Sequence, residues 1–289
     1  MTLLPTRVGV VGCGLMGSGI AEVAARAGRD VAVVESDAVA AERGLARIER
    51  SLATAVDRGK LSDEERTAAL ARIDVSHDLD ALADRELVIE AVFEDEAAKV
   101  AVFERVDKIV DADDAVLASN TSSIPIMKLA MATRRPESVV GLHFFNPVPV
   151  LKLVELVPSL LTSGATIERS EQFAVEALGK RVIRSQDRAG FVVNSLLIPY
   201  LLSSIRMLES GFATAEDIDA GMVEGCAHPM GPLHLTDLIG LDTTMAVAES
   251  LYEEFKEPLY APPPLLSRMV DAGLLGRKTG RGFYDYQRA

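Results

Sequence analysis

Apolar and polar positions along the chain follow two rhythms. In the first, short near-continuous apolar runs recur: VGVV (8–11), DVAVVE (30–35), ELVIEAVFED (86–95), AVLASN (115–120) and SVVGLHFFNP (138–147). Runs with so little polar interruption suit strands covered on both faces. Helical patterns lie between them: one up to about Ala27 and closed by Gly28, one over 95–110 and one over about 124–133. Alternating β and α predicts a parallel doubly wound sheet. From about residue 187 the rhythm is helical throughout, beginning with "DRAGFVVNSLLIPYLLSSIRMLESG". "TAEDIDAGMVEG" follows, with Thr214 placed to cap a helix ahead of Glu216 and Asp217. "PLHLTDLIGLDTTMAVAESLYEEF" is a further helical region, and the glycine-rich tail "LLGRKTGRGFYDY" is expected to fold back over it. The expected organisation is an α/β domain over 1–186, interrupted by a helical hairpin at about 40–73, and an all-helical domain over 187–289.

The turn after the first run is Gly12-Cys13-Gly14-Leu15-Met16-Gly17, and Glu35 follows Gly14 by 21 residues. Strand, glycine loop, helix, strand and acid in this order make a dinucleotide-binding unit, and the sheet is of Rossmann type. Gly12 permits the tight turn, Gly14 lets the backbone approach a pyrophosphate, and Gly17 lets helix and strand pack closely. The helix start offers free N–H groups to the phosphates, with Leu15 and Met16 beside them. Glu35 can accept from ribose hydroxyls and repels a 2′-phosphate, so NAD is expected rather than NADP. FAD fits the same unit, usually with more chain around it.

Ligands of such sheets bind outside the carboxyl ends of the strands. Three successive runs turn polar at that end: Glu94, Asn120 with Thr121, Ser122 and Ser123, and His143 with Asn146. In "VLKLVELV" an extended backbone puts Glu155 on the face of Leu151 and Leu153. A carboxylate among leucines needs a partner, and His143 lies just across the turn "FFNPVP". Such a pair fixes the imidazole tautomer and makes its other nitrogen a proton acceptor. Beside a nicotinamide, a general base implies alcohol oxidation. His77, His228 and His234 lack this setting: His77 lies in a polar stretch, and His228 and His234 read as structural.

Composition narrows the partners. The chain has 289 residues, 48% hydrophobic, with a net charge of −13, which argues against general nucleic-acid or anionic-membrane binding. Against that background the hairpin is locally basic, with Arg43, Arg47, Arg50, Arg58 and Lys60. These charges form either a solvated face or a contact for an anionic substrate arm. Cys13 and Cys226 suit neither a disulfide nor a zinc site, so no metal is expected and a reducing, cytoplasmic setting is. No signal-peptide pattern precedes the first strand. The apolar stretch 191–205 is too short to span a bilayer.

"ASNTSSIPI", "GLHFFNPVPVLKLVEL", "GFVVNSLLIPYL" and "GRKTGRGFYDY", together with the glycine loop, resemble the short-chain L-3-hydroxyacyl-CoA dehydrogenase family, above all its bacterial 3-hydroxybutyryl-CoA branch. The resemblance covers essentially the whole chain. It implies NAD-dependent, reversible oxidation of (S)-3-hydroxyacyl-CoA to 3-oxoacyl-CoA; the large apolar helices of the second domain suit either a homodimer surface or a monomer core. It puts the base on His143, the partner carboxylate on Glu155, the serine that bonds the substrate oxygen on Ser122 and a catalytic-site asparagine on Asn194. Cofactor contacts fall on Glu35, Glu94, Lys99, Ser122 and Asn146, and Asn120 stands beside them. CoA contacts fall near Ser51 and Arg58 or Lys60. Two positions depart from the family pattern: Arg58 stands where lysine is frequent, and Glu35 where aspartate is.

Overall fold

The structure is a computed structural model and describes residues 4–287. The chain divides between Asp187 and Arg188 into two compact units.

The first unit is built on one eight-stranded sheet. Its strands are β1 (Arg7–Val11), β2 (Asp30–Val34), β3 (Ile73–Ser76), β4 (Leu87–Glu90), β5 (Val116–Ser119), β6 (Val139–Phe144), β7 (Leu153–Pro158) and β8 (Arg181–Arg184). They lie in the order β3-β2-β1-β4-β5-β6-β7-β8. The first six are mutually parallel, and strand order reverses between β1 and β4, which opens the crevice expected of a doubly wound sheet. The sheet is not wholly parallel, however: β7 runs antiparallel to β6, and β8 parallel to β7. Chain length dictates this. Only residues 145–152 join β6 to β7, and a parallel crossover needs about a dozen or more.

Helices cover the sheet: α1 (Leu15–Arg26), α2 (Ala38–Asp57), α3 (Asp63–Leu70), α4 (Glu96–Ile109), α5 (Ile126–Ala130) and α6 (Gly164–Gln172). The hairpin of α2 and α3 turns at Gly59, whose φ of +63° suits glycine. Asp37 caps α2, and Ser62 and Glu65 form a reciprocal capping box on α3. Ile48 and Leu52 of α2 are fully buried with Val8, Val10, Val31, Val33 and Ile89 of the sheet, so the hairpin is fastened to the core on one face.

The second unit is helical: α7 (Val193–Glu209), α8 (Ala215–Cys226), α9 (Pro232–Ile239), α10 (Leu241–Phe255) and α11 (Pro264–Asp271). Ile198, Leu202, Ile205, Leu233, Leu241, Leu251 and Leu266 form its core. The first helix starts at Val193 because Gly190 (φ +76°) and Phe191 (φ +46°) hold a non-helical turn before it. Thr214 accepts from the backbone of Asp217 and caps α8. The tail folds back onto its own unit through two buried carboxylates. Asp237 accepts from the backbones of Phe283 and Tyr284 and from the Tyr286 hydroxyl, at 2.9–3.0 Å, and Asp219 accepts from the Tyr284 hydroxyl at 2.9 Å. Among the described residues no helix is long and apolar enough to cross a membrane.

Candidate active site

The glycine loop joins β1 to α1. A Cβ on Gly12 (φ +91°) would come within 2.8 Å of the Ala91 carbonyl, and one on Gly17 within 1.8 Å of the Gly12 oxygen. Neither position admits a side chain. Gly14 is different: nothing lies within 4 Å of the Cβ position, so the backbone there is open to a ligand. Gly14 also heads α1, whose first turn holds no acidic residue and whose N-terminus no side chain caps. Uncapped N–H groups beside open space fit the pyrophosphate of a dinucleotide. Leu15 is exposed beside it and Met16 half-buried.

Glu35, just past β2, accepts from the Cys13 backbone at 2.5 Å and from the Ser36 backbone at 3.1 Å. Arg47 of α2 donates to the Cys13 carbonyl at 2.7 Å. The loop is thus held from both sides, and Arg47 does not stand with the rest of the basic cluster. Its guanidinium ties the hairpin to the glycine loop. Burial, with help from the Glu35 carboxylate and against Arg47, pushes the Cys13 thiol up to about 12.

At the carboxyl edge, Glu94 gathers the turn after β5. Its Oε1 accepts from the Thr121 hydroxyl at 2.5 Å, the Ser122 backbone at 2.9 Å, the Ser123 hydroxyl at 3.0 Å and, at 3.4 Å, the Ser122 hydroxyl. Lys99 of α4 lies 3.3 Å from its other oxygen. Burial works against ionisation of Glu94, but Lys99 and the turn's donors outweigh it and hold the carboxyl below its ordinary range. Asn120 ties β5 to β6: its Oδ1 accepts from the Phe144 backbone at 2.9 Å. Asn146 is exposed and precedes a cis peptide bond to Pro147.

His143 and Glu155 are direct partners in the antiparallel register of β6 and β7. The His143 Nδ1 lies 2.7 Å from Glu155 Oε2, and both side chains are buried. The Phe145 ring stands 4.5 Å from the imidazole. The buried Lys180 donates to the carbonyls of Val148 and Leu151, at 2.5 and 2.7 Å, and so braces the turn between the two strands.

On the hairpin, Ser51 is half-buried and Arg58 and Lys60 are exposed. Asn194 stands in the first turn of α7, half-buried. His234 pairs with Asp219 at 2.8 Å and stacks on Tyr284, while His228 lies 3.1 Å from the Tyr200 hydroxyl. One group escaped the sequence analysis. Glu90, at the end of β4, is buried and bonded to Lys99 and to Ser119, both at 2.6 Å. Its signal was present: a carboxylate inside an apolar run, the mark that singled out Glu155.

A dinucleotide loop at the switch point of a doubly wound sheet, with a carboxylate-paired histidine at the carboxyl edge, defines a nicotinamide-dependent dehydrogenase. The chain belongs to the 3-hydroxyacyl-CoA dehydrogenase family: residues 7–188 match the family's NAD binding domain and residues 190–286 its C-terminal domain. A 3-hydroxybutyryl-CoA dehydrogenase of Mycobacterium tuberculosis is 60% identical over 97% of this chain and 98% of its own length. One from Bradyrhizobium diazoefficiens is 46% identical over 100% of this chain and 98% of its own. The crystal structure of M. tuberculosis FadB2 superposes with a TM-score of 0.97 at 60% identity, covering 98% of this chain and 100% of that one. That of (S)-3-hydroxybutyryl-CoA dehydrogenase PaaH1 from Ralstonia eutropha gives 0.92 at 45% identity, covering 98% and 99%.

Proposed function

We propose that this dehydrogenase interconverts (S)-3-hydroxyacyl-CoA and 3-oxoacyl-CoA with NAD, and that its substrate is the short-chain 3-hydroxybutyryl ester. The buried His143–Glu155 pair carries this reading. With Nδ1 on the carboxylate, Nε2 takes the C3 hydroxyl proton during oxidation and returns it during reduction. Glu155 balances the charge that develops on the imidazole. Ser122, on the turn held by Glu94, donates to the substrate oxygen and orients it. The dinucleotide, when bound, supplies the hydride acceptor. The chain's glycine loop and Glu35 fix its phosphates and adenosine ribose, and Arg58, Lys60 and Ser51 meet the CoA arm.

A homodimer through the second unit is supported by exposed Leu196 and Phe212 and by an apolar hollow of about 540 Å³ on α7 and α8, lined by Tyr200, Met207, Ile218 and Met222. A reducing, cytoplasmic setting is consistent with free thiols at Cys13 and Cys226.

The test follows absorbance at 340 nm with purified protein, NADH and acetoacetyl-CoA, and free acetoacetate in parallel. Rapid NADH consumption with the CoA ester alone is expected. Turnover of the free acid instead would move the assignment to a dehydrogenase of free hydroxy acids.

A further inference from the structure

Lys99 is 1% exposed and has two carboxylate neighbours. It lies 2.6 Å from Glu90 and 3.3 Å from Glu94. Glu90 is 2% exposed, and its side chain is bonded to Lys99, the Ser119 hydroxyl and the Val92 backbone. Glu94 is the partner that reaches the crevice, with its side chain 35% exposed. One ammonium facing two carboxylates leaves this edge with one negative charge in excess. The hydrogen bonds to Glu94 from the turn 121–123 keep that charge on Glu94.

Its position relative to a bound dinucleotide follows from the sheet. Glu35 at the end of β2 takes the adenosine ribose, and α1 takes the pyrophosphate. The other half must therefore extend over β4, where Glu94 stands. That half carries a positive ring charge in NAD+ and none in NADH.

We propose that Glu90 is a positioning residue that sets the charge of this edge: by neutralising Lys99 it leaves Glu94 uncompensated, and the crevice thereby favours the oxidised, cationic nicotinamide over the reduced one. This rests on the dinucleotide assignment above and adds to it a residue that never touches the cofactor.

The experiment measures Kd for NAD+ by calorimetry and for NADH by its fluorescence, in wild-type protein and three variants. Glu90→Gln keeps the shape and frees Lys99 to neutralise Glu94. The ratio Kd(NAD+)/Kd(NADH) should rise about tenfold, the size of one unit charge acting over about 12 Å at an effective dielectric constant of about 20. Lys99→Gln makes the edge more negative and should lower the ratio. Combining the two restores a single excess negative charge and should bring the ratio back to within about twofold of wild type. A purely structural role for Glu90 would weaken both nucleotides alike and would not be rescued by the second substitution. That result, or an unchanged ratio in Glu90→Gln, overturns the proposal. Thermal melts check that each variant folds. If Glu90→Gln does not, Lys99→Gln decides, and a ratio that stays or rises in it is equally fatal. Wild-type protein that binds neither nucleotide would instead overturn the assignment on which the proposal stands.

Discussion

His143 has its carboxylate by register: β6 and β7 are antiparallel, and the positions of the two residues are opposite one another on one face. A one-residue slip would turn Glu155 to the other face. A glutamine in place of His143 can still donate to the buried Glu155 carboxylate, so the substitution removes the proposed proton acceptor while keeping that carboxylate partnered. His143→Gln should lower kcat by about 10²–10⁴-fold, the usual worth of a positioned base, and leave NADH binding within about twofold. Stopped-flow turnover alongside NADH fluorescence checks both, and preserved turnover would remove His143 from the mechanism. Cys13 makes the opposite case, a nucleophile kept silent. Its thiol, pushed up to about 12 by burial and by Glu35, remains protonated at pH 8, where only thiolates react. A disulfide reagent should therefore label the exposed Cys226 alone in native protein, and both cysteines after denaturation. At this scale the sequence was informative about single residues and poor about networks. Glu155 and His143 were legible because a titratable group in an apolar run asks for a partner nearby. The partners of Glu90 come from Lys99 on the next helix and Ser119 on the next strand, and nothing in the linear pattern names them.

Elements were legible in proportion to their burial. β1, β4, β5 and β6 are apolar along most of their length, and each was visible as a run. β3 and β8 are short, half-exposed strands at the two edges of the sheet, with burial too mixed to show a period. The reversal at β7 is carried by the short linker 145–152 and not by the apolar pattern, which is alike for parallel and antiparallel strands. A further fastening also went unseen. Asp107 near the end of α4 accepts from the backbone and guanidinium of Arg134, at 3.0 and 2.8 Å, and from the Arg135 guanidinium at 2.9 Å, which docks the segment before β6 onto the helix. Burial opposes the Asp107 charge, but these donors override it and hold the carboxyl below its ordinary value. The stabilisation is therefore complete above the unfolded value of about 4 and is lost as pH falls through the lower, folded one. Asp107→Asn should cost about 1–3 kcal/mol at pH 7, mostly because the largely buried Arg135 guanidinium loses its carboxylate while the exposed Arg134 can turn to water. Urea unfolding across pH 3–7 should show a shallower acid limb in the variant, and parallel limbs would mean that Asp107 titrates alike in both states.

For the molecule as a whole, two electrostatic effects oppose each other. The chain carries −13, so its far field repels a substrate that bears phosphates. The hairpin nonetheless presents exposed Arg43, Arg50, Arg58 and Lys60. Screening decides which field an arriving acyl-CoA feels. At 0.1 M salt the Debye length is about 10 Å, so distant carboxylates are largely screened while cations in direct reach of the phosphates are less so. Local attraction should win, and KM for acetoacetyl-CoA should rise as salt is raised from low to moderate concentration. Reversing two of the cations removes the attraction and leaves the repulsion. In Arg58→Glu/Lys60→Glu, KM for the CoA ester should increase about tenfold at low salt. Its salt dependence should also change sign, falling as added salt screens the acidic surface. Charges that act on the CoA arm alone leave the chemical step unchanged, so kcat and KM for NADH should stay within about twofold. Initial rates over a salt series, with both substrates varied, read all three quantities together. A double variant whose KM still rises with salt would show that the phosphates are held elsewhere, and that the hairpin's charges are only a solvated face.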